Sequence, residues 1–363
     1  MRTRIAVVAL LAVVTGACAS DGPDSSAAES ATTSTTTSAQ SSSTTTDSSA
    51  PEPAASDSTT AAPTTSAAPA LGDACVSLAD PGVGLQSGAI ESGGNEYRYQ
   101  WTVPSTAEPA EPLPVVLDFH GIGSNGPRQG TLTGLGTLAE TERFVAVQPT
   151  GRSTSTDPRA SWELPQFDTD ERDDVAFVRD LLERLAADAC IDRTRIYATG
   201  MSNGGFFTSV LVCELSETIA AAVSIAGVTH PEGCEPTRPV PYMAFHGTDD
   251  LVVPYSGGGQ SALDGGVAGP FFEQVMPDEF GEFAADFGCA ATVDEEAATG
   301  VSVRRYTECA DGVALAFYTV DGGGHTWPGS AVSSAIPSLG VTTMEVNATE
   351  LAWAFFEQHS LAG

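Results

Sequence analysis

The stretch RIYATGMSNGGFFTSVLVC, residues 195–213, decides the fold. Residues 195–198 predict a strand that leads into Gly200, and residues 204–213 predict a helix. Ser202 lies between the two, with a glycine two residues before it and another two residues after it. A tight strand-to-helix turn presents such a serine as a nucleophile, with the amide groups of the helix N-terminus beside it. The alternative is a glycine-rich turn that carries a solvated serine.

Strand and helix patterns alternate on both sides of this turn. The predicted strands are residues 115–119, 144–147, 219–225, 240–245 and 313–320, and the predicted helices are 175–185 and 351–358, the last capped by Asn347 with Glu350. Such alternation indicates parallel βαβ units, so we expect an α/β fold with a mostly parallel sheet and helices on both faces. Residues 256–277, rich in glycine and without periodicity, are interpreted as a surface excursion over the edge where such sheets bind ligands.

The N-terminus predicts export. Arg2 and Arg4 precede an apolar run at residues 5–14, and small residues then lead to Cys18. This pattern is typical of a secretory signal, too short to be a spanning helix. We interpret residues 1–18 as a signal peptide with a lipobox, in which Cys18 is acylated and holds the protein at the outer face of the cell membrane. The alternative is an ordinary cleaved signal with an incidental cysteine.

Residues 19–70 consist mainly of Ser, Thr, Ala, Pro and Asp and include no aromatic residue. Such a composition buries too little apolar surface to offset chain entropy, so we expect a disordered tether. Residues 71–363 then form the catalytic domain.

The chain carries 15 Lys and Arg against 47 Asp and Glu, a net charge of −32. This charge argues against nucleic acid or anionic lipid as a partner.

Cysteine use supports an exported protein. If Cys18 carries lipid, six of the seven cysteines are left, and an even number in an exported chain predicts three disulfides. Metal binding is the alternative, but the chain has no CxxC pair and its histidines are not interspersed with the cysteines. We expect neither a metal nor a cofactor.

A serine nucleophile needs a base and a carboxylate that orients the base. Of the five histidines, His325 is the best candidate base, because it follows a predicted strand in the loop DGGGHTWP, residues 321–328. The alternative is a loop histidine without a task. Either Asp249 or Asp250, after the strand at residues 240–245, can supply the carboxylate. The chain order Ser, Asp, His is the order of α/β-hydrolases.

Ester hydrolysis also needs donors for the oxyanion, normally two backbone amides. The amide of Asn203, directly after the nucleophile, is one candidate. The amide of Ile122 is the other, because Gly121 and Gly123 let the chain turn it inward after the strand at residues 115–119.

The motifs HGIGSNG, DDVAFVRDLL, YATGMSNGG, HGTDDLVVPY, GGGHTWPG and ATELAWAFFEQH, found between residues 120 and 359, resemble those of the polyhydroxybutyrate depolymerase family. That family includes feruloyl esterases and acetylxylan esterases of carbohydrate esterase family 1, and the similarity spans residues 94–359. The resemblance implies Ser202 as nucleophile, Asp250 as the acid and His325 as the base. The family often has a cysteine where this chain has Ile122, a change that keeps the backbone donor.

The resemblance also implies the disulfides Cys213–Cys234 and Cys289–Cys309, which leaves Cys75 with Cys190. Depolymerases of the solid polyester usually carry a separate binding domain, for which this chain has no room. We therefore expect feruloyl or acetyl esters of polysaccharides, or related soluble esters, as substrates. Poly(3-hydroxybutyrate) or its oligomers are the alternative.

Two tryptophans are candidates to stack on a sugar or aryl group, Trp162 and Trp327. The alternative for Trp327 is packing beneath the His325 loop.

Two other classes of protein fit parts of the pattern. A serine peptidase of the prolyl-oligopeptidase type shares the triad order but needs a propeller domain before it, and a non-catalytic binding lipoprotein would not need the chemical residues that this chain has.

Overall fold

The protein's structure, a computed structural model, describes residues 82–108, 111–153, 159–165, 172–258 and 272–362. Apolar runs of these residues form one ten-stranded sheet, ordered β1-β2-β4-β3-β5-β6-β7-β10-β9-β8. The strands are β1 (Gly84–Ser92), β2 (Asn95–Val103), β3 (Leu113–Phe119), β4 (Val145–Thr150), β5 (Ile191–Met201), β6 (Ala221–Ile225), β7 (Tyr242–Gly247), β8 (Ala291–Ala298), β9 (Val301–Thr307) and β10 (Leu315–Val320).

The centre of the sheet is parallel and its margins are antiparallel. Strands β4, β3, β5, β6, β7 and β10 pair in parallel, whereas β1 and β2 on one side and β8 and β9 on the other are antiparallel hairpins. All parallel strands end at one edge of the sheet, so the loops that follow β3, β5, β7 and β10 meet there.

Helices cover both faces of the sheet. They are α1 (Gly126–Thr133), α2 (Leu135–Glu142), α3 (Asp174–Asp188), α4 (Asn203–Glu214), α5 (Met276–Asp286), α6 (Ala331–Ser334) and α7 (Ala348–Phe356), with short 3-10 turns at Ala310–Gly312 and Pro337–Leu339. Side chains of β3 alternate between two cores: Val115 and Leu117 pack with residues of α3 and α4, and Val116 packs with residues of α2 and α7. The prediction of a mostly parallel sheet covered on both faces is confirmed.

Predicted and observed elements differ mostly at the sheet margins. Strand β5 is longer than predicted, and the hairpins β1–β2 and β8–β9 and helices α1, α2 and α5 were not predicted. Asn347 caps α7 by accepting from the amides of Thr349 and Glu350, as predicted. Most of the predicted excursion at residues 256–277 lies outside the described residues, but its last part begins helix α5.

Disulfides tie loops to the sheet margin and to α4. Cys213 is bonded to Cys234 and Cys289 to Cys309, the two pairs that the resemblance implies. Each closes a loop of about twenty residues, worth roughly 3 kcal/mol in the chain-entropy model. Cys190 is also disulfide-bonded. Cys75 lies outside the described residues, as do the predicted signal, Cys18 and the tether, so the pairing Cys75–Cys190 stays a prediction.

Candidate active site

Ser202 joins β5 to α4 on a strained backbone. Its φ is 57° and its ψ −124°, a conformation that costs a residue with a side chain about 1–3 kcal/mol. Neighbouring glycines let the chain turn this sharply. A Cβ on Gly204 would lie 2.1 Å from the carbonyl oxygen of Phe119, and one on Gly227 would lie 2.5 Å from that of Ser202. Any residue with a Cβ at position 204 or 227 would therefore clash with backbone atoms, so only glycine fits at these two positions.

Asp250 and His325 meet at the sheet edge where Ser202 lies. His325 follows β10 and Asp250 follows β7, and the His325 Nδ1 is 2.8 Å from the Asp250 Oδ2. The other carboxylate oxygen accepts from the backbone amides of Val252 and Val253, at 2.8 and 2.9 Å. Both side chains are buried. Since a carboxylate only accepts, the His325 proton lies on Nδ1, and Nε2 keeps a free lone pair.

The Asp250 carboxyl is ionised. Burial raises its pKa, but electrostatic attraction from His325 and hydrogen bonds from His246 and His325 outweigh burial and hold the pKa well below its usual range. His246 comes from the end of β7. Its Nε2 donates to the carbonyl of Val253 at 2.8 Å and lies 3.3 Å from the Asp250 Oδ2. His246 therefore supports the loop that carries Asp250.

Ser202 and His325 are not joined by a hydrogen bond. Among the described residues the Ser202 hydroxyl has no hydrogen-bond partner, and the His325 ring bonds only to Asp250. Without substrate, hydrogen bonds between a nucleophile and its base are often long and tighten in the Michaelis complex. The structure thus pairs the predicted acid with the predicted base and leaves the serine hydroxyl free.

The predicted oxyanion donors flank Ser202. Helix α4 begins at Asn203, so the Asn203 amide has no intrahelical acceptor. Neither this amide nor that of Ile122 donates to any described residue. The loop that contains Ile122 touches the serine, because a Cβ on Gly121 would lie 3.2 Å from the Ser202 Cβ. Two free amides therefore lie on the segments nearest the nucleophile.

A buried network holds these two segments together. The Asn203 side chain accepts from the Trp162 amide at 2.7 Å and donates to the Trp162 carbonyl at 3.1 Å. The Trp162 indole donates to the His120 carbonyl at 3.0 Å, and the His120 Nδ1 donates to the Gly121 carbonyl at 2.7 Å. The Gly151 amide donates to the other His120 nitrogen, and burial lowers the pKa of His120 to about 4. His120 is therefore neutral.

Known proteins resemble the chain over much of this region, although no family model matches it. Feruloyl esterase B of Piromyces equi is 34% identical over 170 residues, which cover 46% of this chain and 31% of that protein. Feruloyl esterase C of Emericella nidulans is 27% identical over 292 residues, which cover 76% of this chain and 90% of that protein. The solved acetyl xylan esterase from Aspergillus awamori superimposes with a TM-score of 0.53 at 14% identity, covering 75% of this chain and 99% of that one.

These likenesses agree with the fold and with the resemblance read from the motifs. The chain has an α/β-hydrolase fold, and its sequence is similar to those of feruloyl esterases. It spans less than a third of the length of feruloyl esterase B, at 31%, but nearly the whole of feruloyl esterase C, at 90%. The solved structure, at 14% identity, supports the fold alone.

The two predicted stacking tryptophans are not available to a ligand, and that prediction was wrong. Trp162 is fully buried, and its ring lies 5.1 Å from that of Phe119 and 5.3 Å from that of Phe207. Trp327 is 1% exposed, and its indole donates to the Thr349 hydroxyl. Both indole rings can be buried because each indole N–H donates a hydrogen bond to a protein acceptor.

One cluster of possible metal ligands is present in the described part of the chain. The ligand atoms of His230, Cys234 and Asp286 lie within 4.8 Å of one another. The Cys234 sulfur is bonded to Cys213 and therefore offers no thiolate. The His230 ring instead forms a hydrogen bond directly with Asp286, at 2.7 Å, near the surface.

Proposed function

We propose that this hydrolase is an exported serine esterase that cleaves carboxylic esters through Ser202, His325 and Asp250. The observation that carries the proposal is the buried 2.8 Å contact between His325 and Asp250 at the sheet edge where the strained Ser202 lies. A base with a fixed tautomer, beside a serine on a tight turn, is the arrangement that nucleophilic catalysis requires.

In the proposed reaction the Ser202 hydroxyl attacks the ester carbonyl and His325 Nε2 takes its proton. The imidazolium that forms is stabilised by the ionised Asp250 through Nδ1. The tetrahedral oxyanion accepts hydrogen bonds from the amides of Ile122 and Asn203, each of which is worth about 3–4 kcal/mol in such sites. His325 then protonates the leaving alcohol, and water, deprotonated by His325, hydrolyses the acyl-enzyme to the free acid.

Exposed apolar side chains on the catalytic loops support an aromatic or other large acyl group. Ile122 on the oxyanion loop is 42% exposed, and Leu251, next to Asp250, is 64% exposed. Val341 and Met344 are 66% and 59% exposed, and the backbone of Val341 pairs with the His325 loop. We infer that these side chains form an apolar rim against the acyl group, which would favour a feruloyl ester over an acetyl ester by burial of its ring.

Relatives named feruloyl esterase support polysaccharide-linked esters as the substrate class. Hydroxybutyrate oligomers are the second candidate, because their apolar acyl chain also fits an exposed apolar rim. Export and a lipid anchor rest on the pattern of residues 1–18, which lie outside the described residues. None of the helices in the described part combines the length and apolarity that a membrane span requires.

Ser202→Ala tests the nucleophile. Turnover of p-nitrophenyl acetate should fall by about three to six orders of magnitude with the unfolding temperature retained, since only the attacking oxygen is lost. A fluorophosphonate probe should label Ser202 in the wild type. Ser209→Ala is the matched control, because its hydroxyl bonds to Tyr242 within the core and touches no proposed catalytic group. Labelling of another serine, with activity kept in Ser202→Ala, would disprove the assignment.

A panel of methyl ferulate, acetylated xylan, hydroxybutyrate oligomers and a peptide anilide tests the substrate class. We expect the highest kcat/KM for methyl ferulate and no cleavage of the anilide. The highest kcat/KM for hydroxybutyrate oligomers would favour the second candidate, and cleavage of the anilide would indicate a peptidase.

A further inference from the structure

A polar groove lies on the β1–β2 hairpin beside the start of α1. It encloses about 720 Å³, within the size range of pockets that hold small ligands. Its floor is formed by two cross-strand pairs, Ser87 with Gln100 and Ala89 with Arg98, which share one face of the hairpin because paired residues point the same way. Asn125, Pro127, Arg128 and Thr150 also line it.

Arg128 is unusual among the arginines of this chain. It is exposed at the groove, and it is the one arginine in the described ranges whose guanidinium has no hydrogen bond, ion pair or ring contact. Acidic residues are abundant in a chain of net charge −32, and Arg98, across the groove, pairs with Glu96. Arg128 also lies in the first turn of α1, where the helix dipole disfavours a cation. Local stability therefore does not explain its position.

The groove is lined in part by Asn125, Pro127 and Arg128, which follow the proposed oxyanion loop in the chain. The chain runs from Ile122 directly to Asn125, which caps α1 by accepting from the Arg128 amide at 3.0 Å. Thr150 holds the same segment, since its hydroxyl accepts from the Gly126 amide at 3.0 Å. We infer that a substrate chain bound at Ser202 and extended along this segment reaches the groove.

We propose that this groove binds the saccharide part of the substrate and that Arg128 recognises a carboxylate on it, as in a uronic acid residue. A guanidinium binds a carboxylate with two parallel hydrogen bonds. The serine, threonine, asparagine and glutamine side chains around it offer the donors and acceptors that sugar hydroxyls need. This inference rests on the proposed function for the link to an ester, but saccharide binding itself requires no turnover.

Binding is measured by calorimetry on the full chain carrying Ser202→Ala, with a glucuronic-acid-bearing xylo-oligosaccharide and with neutral xylotetraose. We expect the acidic sugar to bind at least tenfold tighter, and Arg128→Gln to abolish that difference. Arg193→Gln is the matched control, because Arg193 is an exposed arginine that pairs with Glu183 and does not line the groove. It should leave both affinities unchanged.

Equal affinity for the two sugars, or an equal loss in Arg128→Gln and Arg193→Gln, would overturn the proposal. So would binding of acetate as tight as that of the acidic sugar, since the groove would then hold an anion alone. Sugar binding is measured in the Ser202→Ala background, where no ester is turned over. Loss of sugar recognition is thereby distinguished from failure of the proposed esterase activity, which the Ser202→Ala comparison measures.

Discussion

Adjacent aspartates follow β7, and their surroundings differ sharply. Asp250 is buried and accepts from His325 and from the amides of Val252 and Val253, whereas Asp249 is exposed. We expect Asp250→Asn to lower kcat by about three to four orders of magnitude, because an amide no longer fixes the His325 tautomer or stabilises the imidazolium. Asp249→Asn, the matched control, should change kcat less than threefold. Similar small losses in both variants would place the carboxylate elsewhere.

Asp118 is a buried carboxyl that the proposed mechanism does not use. Burial raises its pKa to about 7, although hydrogen bonds from Gln129 and Thr133 lower it. Between the unfolded pKa near 4 and about 7, the folded state holds a proton that the unfolded state has lost, so the free energy of unfolding falls as pH rises.

Asp118→Asn should abolish this fall. From pH 5 to pH 8 the wild type should lose roughly 3 kcal/mol of unfolding free energy relative to the variant, at 1.4 kcal/mol for each pKa unit. His120, whose pKa is lowered to about 4, makes the free energy of unfolding rise with pH instead. Since both proteins contain His120, its contribution cancels when their free energies of unfolding are compared. Urea titrations at the two pH values measure the effect, and Asp294→Asn is the exposed control. Parallel curves for wild type and Asp118→Asn would contradict a raised pKa.

At the scale of elements, the loop around Trp162 connects the two segments that carry the proposed oxyanion donors. Trp162→Phe removes the hydrogen bond to the His120 carbonyl and keeps most of the packing. We expect kcat on a small ester to fall about tenfold to a hundredfold with KM nearly unchanged, less than the loss of a donor itself costs. Trp353→Phe is the matched control, since the Trp353 indole is buried without a hydrogen-bond partner. Equal effects of both variants on kcat would show that Trp162 only fills space.

The sequence predicts the central elements well because their strands are uniformly apolar and end in glycine-rich loops. All seven residues of β3 are buried, and so are all six of β7. Strand β8, with the sequence ATVDEEAA, is exposed over most of its length and shows no apolar periodicity, so the same criterion misses it. Its formation depends on pairing with β9, a tertiary contact that local composition does not encode.

Some residues of the site can also be located from the sequence, whereas others cannot. Ser202, Asp250 and His325 each follow a strand at the parallel edge, so chain order and position locate them. The side-chain directions of Trp162 and Trp327 depend on packing partners far along the chain, and sequence position alone suggested exposure. The hydrogen bonds from Trp162 to His120 and Asn203 join residues that are 42 and 41 positions apart in the chain, and no local sequence pattern predicts them.

At the scale of the whole molecule, the N-terminal pattern predicts where the enzyme acts. We propose that Cys18 is acylated and that the lipid holds the protein at the outer face of the membrane. Cys18→Ser should release active enzyme into the medium with unchanged kcat and KM on soluble esters, because the proposed catalytic groups all lie beyond residue 120. Wild type already in the medium, without lipid by intact-mass analysis and cut at another position, would exclude the anchor.

Strand β8, which forms one edge of the sheet, carries three consecutive acidic residues. Asp294, Glu295 and Glu296 stand along this outermost strand, and arginines of β9 pair with the first two. An open strand edge is a template on which a second chain can add a strand and begin a fibril. Like charges meeting across such a contact would repel, so we expect the acidic strand to oppose the pairing of two copies along this edge. The residues that leave β8 without an apolar pattern are therefore expected to limit aggregation through it.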